Sequence, residues 1–310
     1  MAIFTARFTV ASMTATLTRF LTGILIVAAT ASVAEETDRS PPIKVMSFNI
    51  RFGTAKDGDN HWENRKNFVA ETIQVFDPDL LGLQECLDFQ GQFIQNQLPG
   101  YTFHGVGRQD GSKSGEYVPV LYKTSRFKMV DSGHYWLSET PDVPGSKSWD
   151  SSLPRMVSWV RLQDKHDPDS EPFVFANAHF DHKGREARHQ SARLMWRRHI
   201  GSTPYEAVIL AGDFNSGEDS DPYNALVRGK GQQTEGDSPI LDTYRVVHPE
   251  RSEKEATFTK WIGNREGLRI DWILHSKSFT TLNASINYTN DKGRHPSDHY
   301  PIEAILRRRH

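Results

Sequence analysis

Cysteine is almost missing from this sequence: Cys86 stands alone among 310 residues. No disulfide can form within the chain, and a disulfide scaffold or a cysteine-built zinc site is excluded. Cys86 follows an apolar run and reads as a small buried side chain, not a nucleophile. An excess of charge is missing too, with 37 basic against 39 acidic residues and a formal net charge of −2. A chain so close to neutral lacks the counterion-release advantage that dedicated nucleic-acid binders draw from a basic surface. Beyond residue 34 there is no long apolar run, no short-period repeat and no low-complexity tract, so a membrane-embedded body and a repeat solenoid are both excluded. With 37% hydrophobic residues, the chain can bury one large core.

The first 34 residues are of different material. Arg7 and Arg19 are their only charges, and Leu21 to Val33 is apolar but short for a bilayer span. Ser32 and Ala34 suit the small-residue positions of a signal-peptidase site, so residues 1–34 read as a secretory signal and the protein as exported, to a periplasmic or extracellular space. An uncleaved membrane anchor is the alternative, favoured by the long stretch ahead of the apolar run. Cleavage would remove two arginines and no acid, leaving −4. Residues 35–42 read as a polar tether, and residues 43–307 as one domain.

Within that domain, strand and helix patterns alternate. Ile43 to Ile50 alternates apolar and polar residues as a strand does, and His61 to Phe76 has apolar residues at helical spacing, stopped by Asp77-Pro78. Strands are expected at 79–85, 101–106, 117–122, 129–137, 156–162, 173–180, 206–211, 257–261, 269–275, 279–289 and 300–306, and helices at 87–98, 185–200 and 221–227. Residues 107–116, 138–153 and 230–239 read as loops. Strand–helix units in both halves, with extra antiparallel strands, point to two stacked sheets flanked by helices. The helix from Arg185 to Ile200 is basic, and reads either as a solvated face or as a phosphate track.

Several strands end in the same way. Ile209-Leu-Ala-Gly-Asp213-Phe-Asn215 runs from apolar residues into an acid and an amide, and alternate residues of an extended segment can face one cleft. Asn49, Glu85 and His179 close other strands; Asp271 sits among apolar neighbours, and Asp298-His299 precedes the last strand. Acids in apolar company need a cation or hydrogen-bond donors to compensate them. Oxygen donors without cysteine favour Mg²⁺ or Mn²⁺, and Glu85 with Asp298, helped by Asn49, would form a sparse carboxylate site open to water and a phosphate oxygen. Histidines beside acids suit proton handling near neutral pH.

Six segments, in order, carry a resemblance: Phe48-Asn49-Ile-Arg, Leu83-Gln-Glu85, Asn177-Ala-His179-Phe, Gly212-Asp213-Phe-Asn215, Arg269-Ile-Asp271-Trp-Ile and Ser297-Asp298-His299-Tyr-Pro. Together they resemble the endonuclease/exonuclease/phosphatase superfamily, over essentially the whole domain. The resemblance implies a four-layer α/β/β/α sandwich and metal-dependent hydrolysis of a phosphoester. It implies that Glu85 binds the metal with Asn49 and Asp298 in support, and that His299, oriented by Asp271, contacts phosphate or takes a proton. Asp213 would position or deprotonate the attacking water, Asn215 hold the phosphate, and His179 stabilise the phosphoryl oxygens or assist the leaving group. Arg155 resembles a phosphate-binding arginine of some members; Tyr117, His182 and Arg108 are further cleft candidates. The segments 60–66, 114–117, 136–141 and 180–182 resemble a bacterial and fungal branch nearer the deadenylase-like members than the sphingomyelinases.

The substrate stays open at this stage. A phosphodiesterase or nuclease comes first, a phosphomonoesterase or lipid-headgroup (inositol phosphate) phosphohydrolase second, and a non-catalytic phosphate-binding module third. No obligate protein partner is evident, and a monomer is expected.

Overall fold

Strand alternation decides which residues reach the interior, and this chain uses it to grade each inner face from apolar to polar. In the first strand, β1 (Ile43–Asn49), Met46 and Phe48 face outward to helices, whereas Ile43, Val45, Ser47 and Asn49 share the inner side. In β7 (Phe173–His179), Phe173, Phe175, Asn177 and His179 share the inner side in the same way. Both strands therefore begin in the core and finish in polar groups at one end of the molecule.

The computed structural model describes residues 2, 40–201, 207–229 and 239–309. The expected signal segment (residue 2 apart), the tether as far as residue 39 and the loop 230–238 lie outside the described residues.

Two six-stranded sheets form the centre. The first contains β1, β2 (Leu80–Gln84), β3 (Tyr101–His104), β4 (Val120–Lys123), β11 (Phe279–Ile286) and β12 (Ile302–Arg308), in the order β11-β12-β1-β2-β4-β3. The second contains β5 (Phe127–Trp136), β6 (Met156–Asp164), β7, β8 (Val208–Asp213), β9 (Ile240–Asp242) and β10 (Asp271–Ser276), in the order β5-β6-β7-β8-β10-β9. Each sheet has one parallel pair, β1–β2 and β7–β8, and the other pairings are antiparallel. A parallel pair needs a crossover, supplied by α1 (Trp62–Phe76) in one sheet and α3 (Arg185–His199) in the other. Asp77, left-handed at φ 53°, and Pro78 end α1.

Apolar side chains from both sheets, among them Val45, Leu80, Ile302, Leu162, Phe175 and Ile209, fill the space between them. With α2 (Asp88–Gln97), α1 covers the outer face of the first sheet. Its counterpart α3, joined by α4 (Asp221–Val227), covers the second. The architecture is the four-layer α/β/β/α sandwich expected. No described helix is long and apolar enough to cross a membrane.

Three local differences from the sequence reading have physical causes. The strand expected at 257–261 is reduced to one bridge between Phe258 and His299, because Lys260 and Trp261 adopt left-handed φ values of 52° and 68° that end extension. The strand expected from Tyr117 starts at Val120, since Pro119 offers no N–H to a ladder. Both β9 and α5 (Thr243–Val247) are too short to show a period; Asp242, which ends β9 and caps α5, also accepts a hydrogen bond from Tyr223 Oη at 2.9 Å.

A buried amide ties the two sheets. Asn177 of β7 donates to the carbonyls of Leu83 (2.7 Å) and Pro119 (2.9 Å), and accepts from Gln84 Nε2 at 2.6 Å. Gly82 makes room for it: a Cβ there would lie 2.7 Å from Asn177 Cγ. Replacing Asn177 by Ala strands two buried carbonyls and an amide, so unfolding free energy should fall by about 2–4 kcal/mol. Urea denaturation tests this, with the exposed Gln92→Ala expected within about 0.5 kcal/mol of the parent. Equal midpoints for the two variants would refute the tie.

Candidate active site

The polar ends of the inner faces meet at an open cleft of ≈ 340 Å³. Its walls include Glu85, Arg155, His179, His182, Asp213, Asn215, Asp298 and His299, together with Arg51 and Glu116. Strand register explains part of this assembly: His179 pairs with Asp213 across β7–β8, and Asp213 with Asp271 across β8–β10. Three chemically active groups thus stand in one row.

Glu85 needs a separate device. By alternation it belongs with Leu81 and Leu83 on the helix side of β2. A left-handed φ of 56° turns the chain there, and the carboxylate swings back to the cleft. It accepts from Asn49 Nδ2 at 3.2 Å and from the Phe52 N–H at 3.1 Å. Asn49 Nδ2 also donates to Asp213 Oδ2 at 3.0 Å, linking the first sheet to the second. Asn215 is left-handed as well (φ 48°); its N–H donates to Asp213 Oδ1 at 2.9 Å and its side chain to the Phe180 carbonyl at 3.0 Å.

The two histidines differ in state. His299 Nδ1 lies 3.0 Å from Asp271 Oδ2, and its Nε2 lies 3.8 Å from Asp213 Oδ2. Burial opposes its protonation, but Asp271, Asp213 and Asp298 outweigh that and raise it to about 10. His299 is therefore an imidazolium near neutral pH. His179 is held well below its ordinary value, first by burial and then by Arg155 and Arg108. Arg155 Nη1 lies 3.0 Å from His179 Nδ1; a guanidinium can only donate, so Nδ1 accepts and the proton sits on Nε2, 3.5 Å from Asp213 Oδ2. By the same argument His182, whose Nδ1 is 3.1 Å from Arg155 Nη2, carries its proton on Nε2. Asp213 is pushed up to about 7 by burial and by Asp271, against the pull of His299 and its hydrogen-bond donors. Asp298 is raised by burial and by Glu85, against the pull of His299 and Arg51.

Two groups of residues suit a cation. Asp213, Asp271 and His299 bring ligand atoms within 4.8 Å of one another. Glu85 and Asp298 offer hard oxygens, with the Arg51 guanidinium at 3.9 Å from Glu85 Oε2 and 3.7 Å from Asp298 Oδ2. The second set fits Mg²⁺ or Mn²⁺ better, because its donors are all oxygen and Arg51, bonded to Asp57 at 2.9 Å, stands beyond hydrogen-bond distance of both. In the first set the imidazolium of His299 supplies the compensating charge itself.

Most of the anticipated residues converge here. Asp271 sits behind His299, and Arg108 behind Glu116, which it grips at 2.7 and 2.8 Å. Arg155 is buried, with its Nε 3.6 Å from Asp181 Oδ2. Tyr117 does not reach the cleft: its hydroxyl donates to Asp88 at 3.0 Å beside α2. Three contributors were not singled out from sequence. Arg51 lies two residues after Asn49, and Glu116 lies within Ser114-Gly-Glu-Tyr117. Asp181, within Phe180-Asp-His182, accepts N–H groups from Ser152, Leu153, Lys183 and Gly184, which pull it below the carboxylate range against its burial. A strand-end rule finds the first and third; nothing local marks Glu116.

A stacked-sheet scaffold with acids, amides and imidazoles around such a cleft defines the class of hydrolases that act on phosphoester bonds. The chain belongs to the Endonuclease/Exonuclease/phosphatase family, whose model matches residues 46–299. A solved member from Bacteroides thetaiotaomicron is 34% identical, with 86% of this chain and 98% of that chain aligned and a TM-score of 0.74. A mannosyl-6-phosphatase from the same organism is also 34% identical, covering 85% and 99% of the two chains at a TM-score of 0.72. Among curated proteins, an uncharacterized protein of Acanthamoeba polyphaga mimivirus is 26% identical over 183 residues, 56% of this chain and 67% of its own. Across the first three curated relatives, the alignments span 32% to 67% of the relative's length.

The electrostatics set a direction for stability against pH. His299 is raised in the folded state, so its contribution is whole below its unfolded value near 6.5 and is lost as pH climbs through about 10. Asp213, raised to about 7, contributes in the same sense at lower pH, losing stability as pH rises from about 4 to 7. For EDTA-treated protein the unfolding midpoint should fall between pH 6 and pH 10, and His299→Gln should flatten the part above pH 7. A wild-type midpoint that holds level across that interval would contradict the pairing of His299 with Asp271.

Proposed function

We propose that the protein is a divalent-metal-dependent phosphoesterase that cleaves phosphate monoesters ahead of diesters. The observation that carries this is the hydrogen-bonded bridge Glu85–Asn49–Asp213, which sets a cation-holding wall opposite a proton-handling one. Glu85 and Asp298, with Asn49, would hold Mg²⁺ or Mn²⁺. A bound cation supplies neutralisation of phosphate charge and polarises the phosphoryl group. Asp213 orients the attacking water and takes its proton, being the group poised near neutrality. His299, an imidazolium fixed by Asp271, cannot accept that proton and instead donates to phosphoryl oxygens. Asn215 and His179 Nε2–H add further donors, so positioning and fixed charge provide most of the acceleration.

Two points support monoesters over the diesters ranked first on sequence. The similar structure from B. thetaiotaomicron is named for phosphatase activity on a mannosyl 6-phosphate. The cleft has four acids on its walls against Arg51, Arg155 and the imidazolium of His299, and α3 pairs two of its five arginines, Arg185 and Arg198, with Asp221 and Asp142, which weakens it as a track for a polyanion. The same reading makes residues 1–34 an export signal, and the enzyme a scavenger of phosphoesters outside the cytoplasm.

With Mg²⁺ or Mn²⁺, p-nitrophenyl phosphate should be hydrolysed at least tenfold faster than bis-p-nitrophenyl phosphate or a single-stranded oligodeoxynucleotide, and EDTA should abolish turnover. Glu85→Gln, Asp213→Asn and His299→Ala should each lower kcat by roughly a hundredfold or more. Turnover that survives EDTA would remove the metal from the account, and the absence of any phosphoester cleavage would leave only a binding module.

A further inference from the structure

Glu116 is out of place in a cleft built for phosphate. Three other acids, Glu85, Asp213 and Asp298, already line that cleft, and a fourth repels a phosphate without serving the cation wall. Its position is nonetheless held with care. Arg108 grips both carboxylate oxygens, at 2.7 and 2.8 Å, and the backbones of the two residues pair as well, Arg108 N–H to Glu116 C=O at 3.1 Å. Arg108 is itself buried, and its carbonyl accepts the Trp136 indole N–H at 2.6 Å. The next residue is pinned by the Tyr117 N–H to the Cys86 carbonyl, 2.6 Å. The carboxylate therefore cannot swing away: burial raises it, the Arg108 fork opposes that rise, and the group is held rigidly at the cleft wall.

Its place along the cleft is equally defined. Glu116 Oε2 lies 4.0 Å from His179 Nδ1, while the opposite nitrogen of that ring lies 3.5 Å from Asp213 Oδ2. One imidazole thus separates Glu116 from the water-handling acid, which puts it beside the phosphoryl position, not on it. On the same wall His182 has its Nδ1 committed to Arg155, so that Nε2–H is the end left to donate. Glu116 thus offers an acceptor and His182 a donor on the lining of the same cleft.

Resting on the phosphoesterase reading above, we propose that Glu116 is a specificity-determining residue that accepts hydroxyl groups of the esterified alcohol, and that the substrates are phosphate esters of polyhydroxy compounds such as hexoses. A carboxylate offers about four lone-pair sites and Arg108 uses two, leaving the rest for O–H donors, whose bonds to a charged oxygen are short and strong. A hydroxyl is both donor and acceptor and satisfies Glu116 and His182 together. A nucleic-acid strand brings a second phosphate instead, and like charges in a desolvated cleft are rejected.

The test compares the full chain with Glu116→Gln and Glu116→Asp on a hexose 6-phosphate and on p-nitrophenyl phosphate, which has no hydroxyl. The ratio of kcat/KM between the two substrates should fall about ten- to a hundredfold in Glu116→Gln, chiefly through KM, and Glu116→Asp should restore most of it. An unchanged ratio overturns the assignment, whether both substrates slow together or neither does. Should the glutamine variant fail to fold, the wild-type protein decides alone. Its kcat/KM for the hexose 6-phosphate should exceed that for n-hexyl phosphate tenfold or more, and parity overturns the inference. Cleavage of p-nitrophenyl and n-hexyl phosphates without hydroxyl preference sinks this inference only; cleavage of none of the three, nor of bis-p-nitrophenyl phosphate, sinks the phosphoesterase reading itself.

Discussion

The hydrogen bond from Asn49 Nδ2 to Asp213 Oδ2, 3.0 Å long and buried, is the contact on which the cleft depends. It crosses from one sheet to the other, and beneath it Asn177 does the same. Apolar contact fills most of the space between the sheets, with a few further polar links such as His275 to Thr281 at 2.7 Å, and apolar contact is strong but tolerates sliding and repacking. Polar groups in such a place are costly unless every donor and acceptor finds its partner, so they admit one relative placement of the sheets. Between Val45 and Asn49, and between Phe175 and His179, the inner faces change from oil to hydrogen bonds. Burial of the first part supplies stability, and the second part fixes the register.

That grading also explains how two histidines in one cleft hold opposite charge states. Both are buried, and burial alone would leave both neutral. His299 has Asp271 at 3.0 Å and two more acids in range, whereas His179 has Arg155 against its Nδ1. Neighbours decide where the proton stays, and the strand register decides the neighbours. A base and an acid then coexist a few ångströms apart without either titrating the other.

Much of this was legible in the sequence, and for a physical reason. Strand ends are short-range features: Asn49, Glu85, His179 and Asp213 each follow an apolar run in the text of the chain, Asp298 stands just ahead of one, and all five finish at the cleft in space. Two stacked sheets flanked by helices followed from the strand and helix patterns, and the four-layer order from the family resemblance. What was not legible depended on partners distant in sequence. Glu116 reaches the cleft because Arg108 holds it, and Tyr117, expected there, was drawn off by Asp88. The strand expected at 257–261 was undone by two backbone torsions that no local pattern announces. Nor did β9 and α5 have length enough to declare themselves.

The turn at Glu85 has a wider consequence. Glutamate has no liking for a left-handed backbone, and holding one there costs on the order of 1–3 kcal/mol. The strain persists because Asn49 and the Phe52 amide detain the carboxylate. Without this acid β2 could relax and the fold become sturdier, so the bend gives up robustness to aim one carboxylate into the cleft.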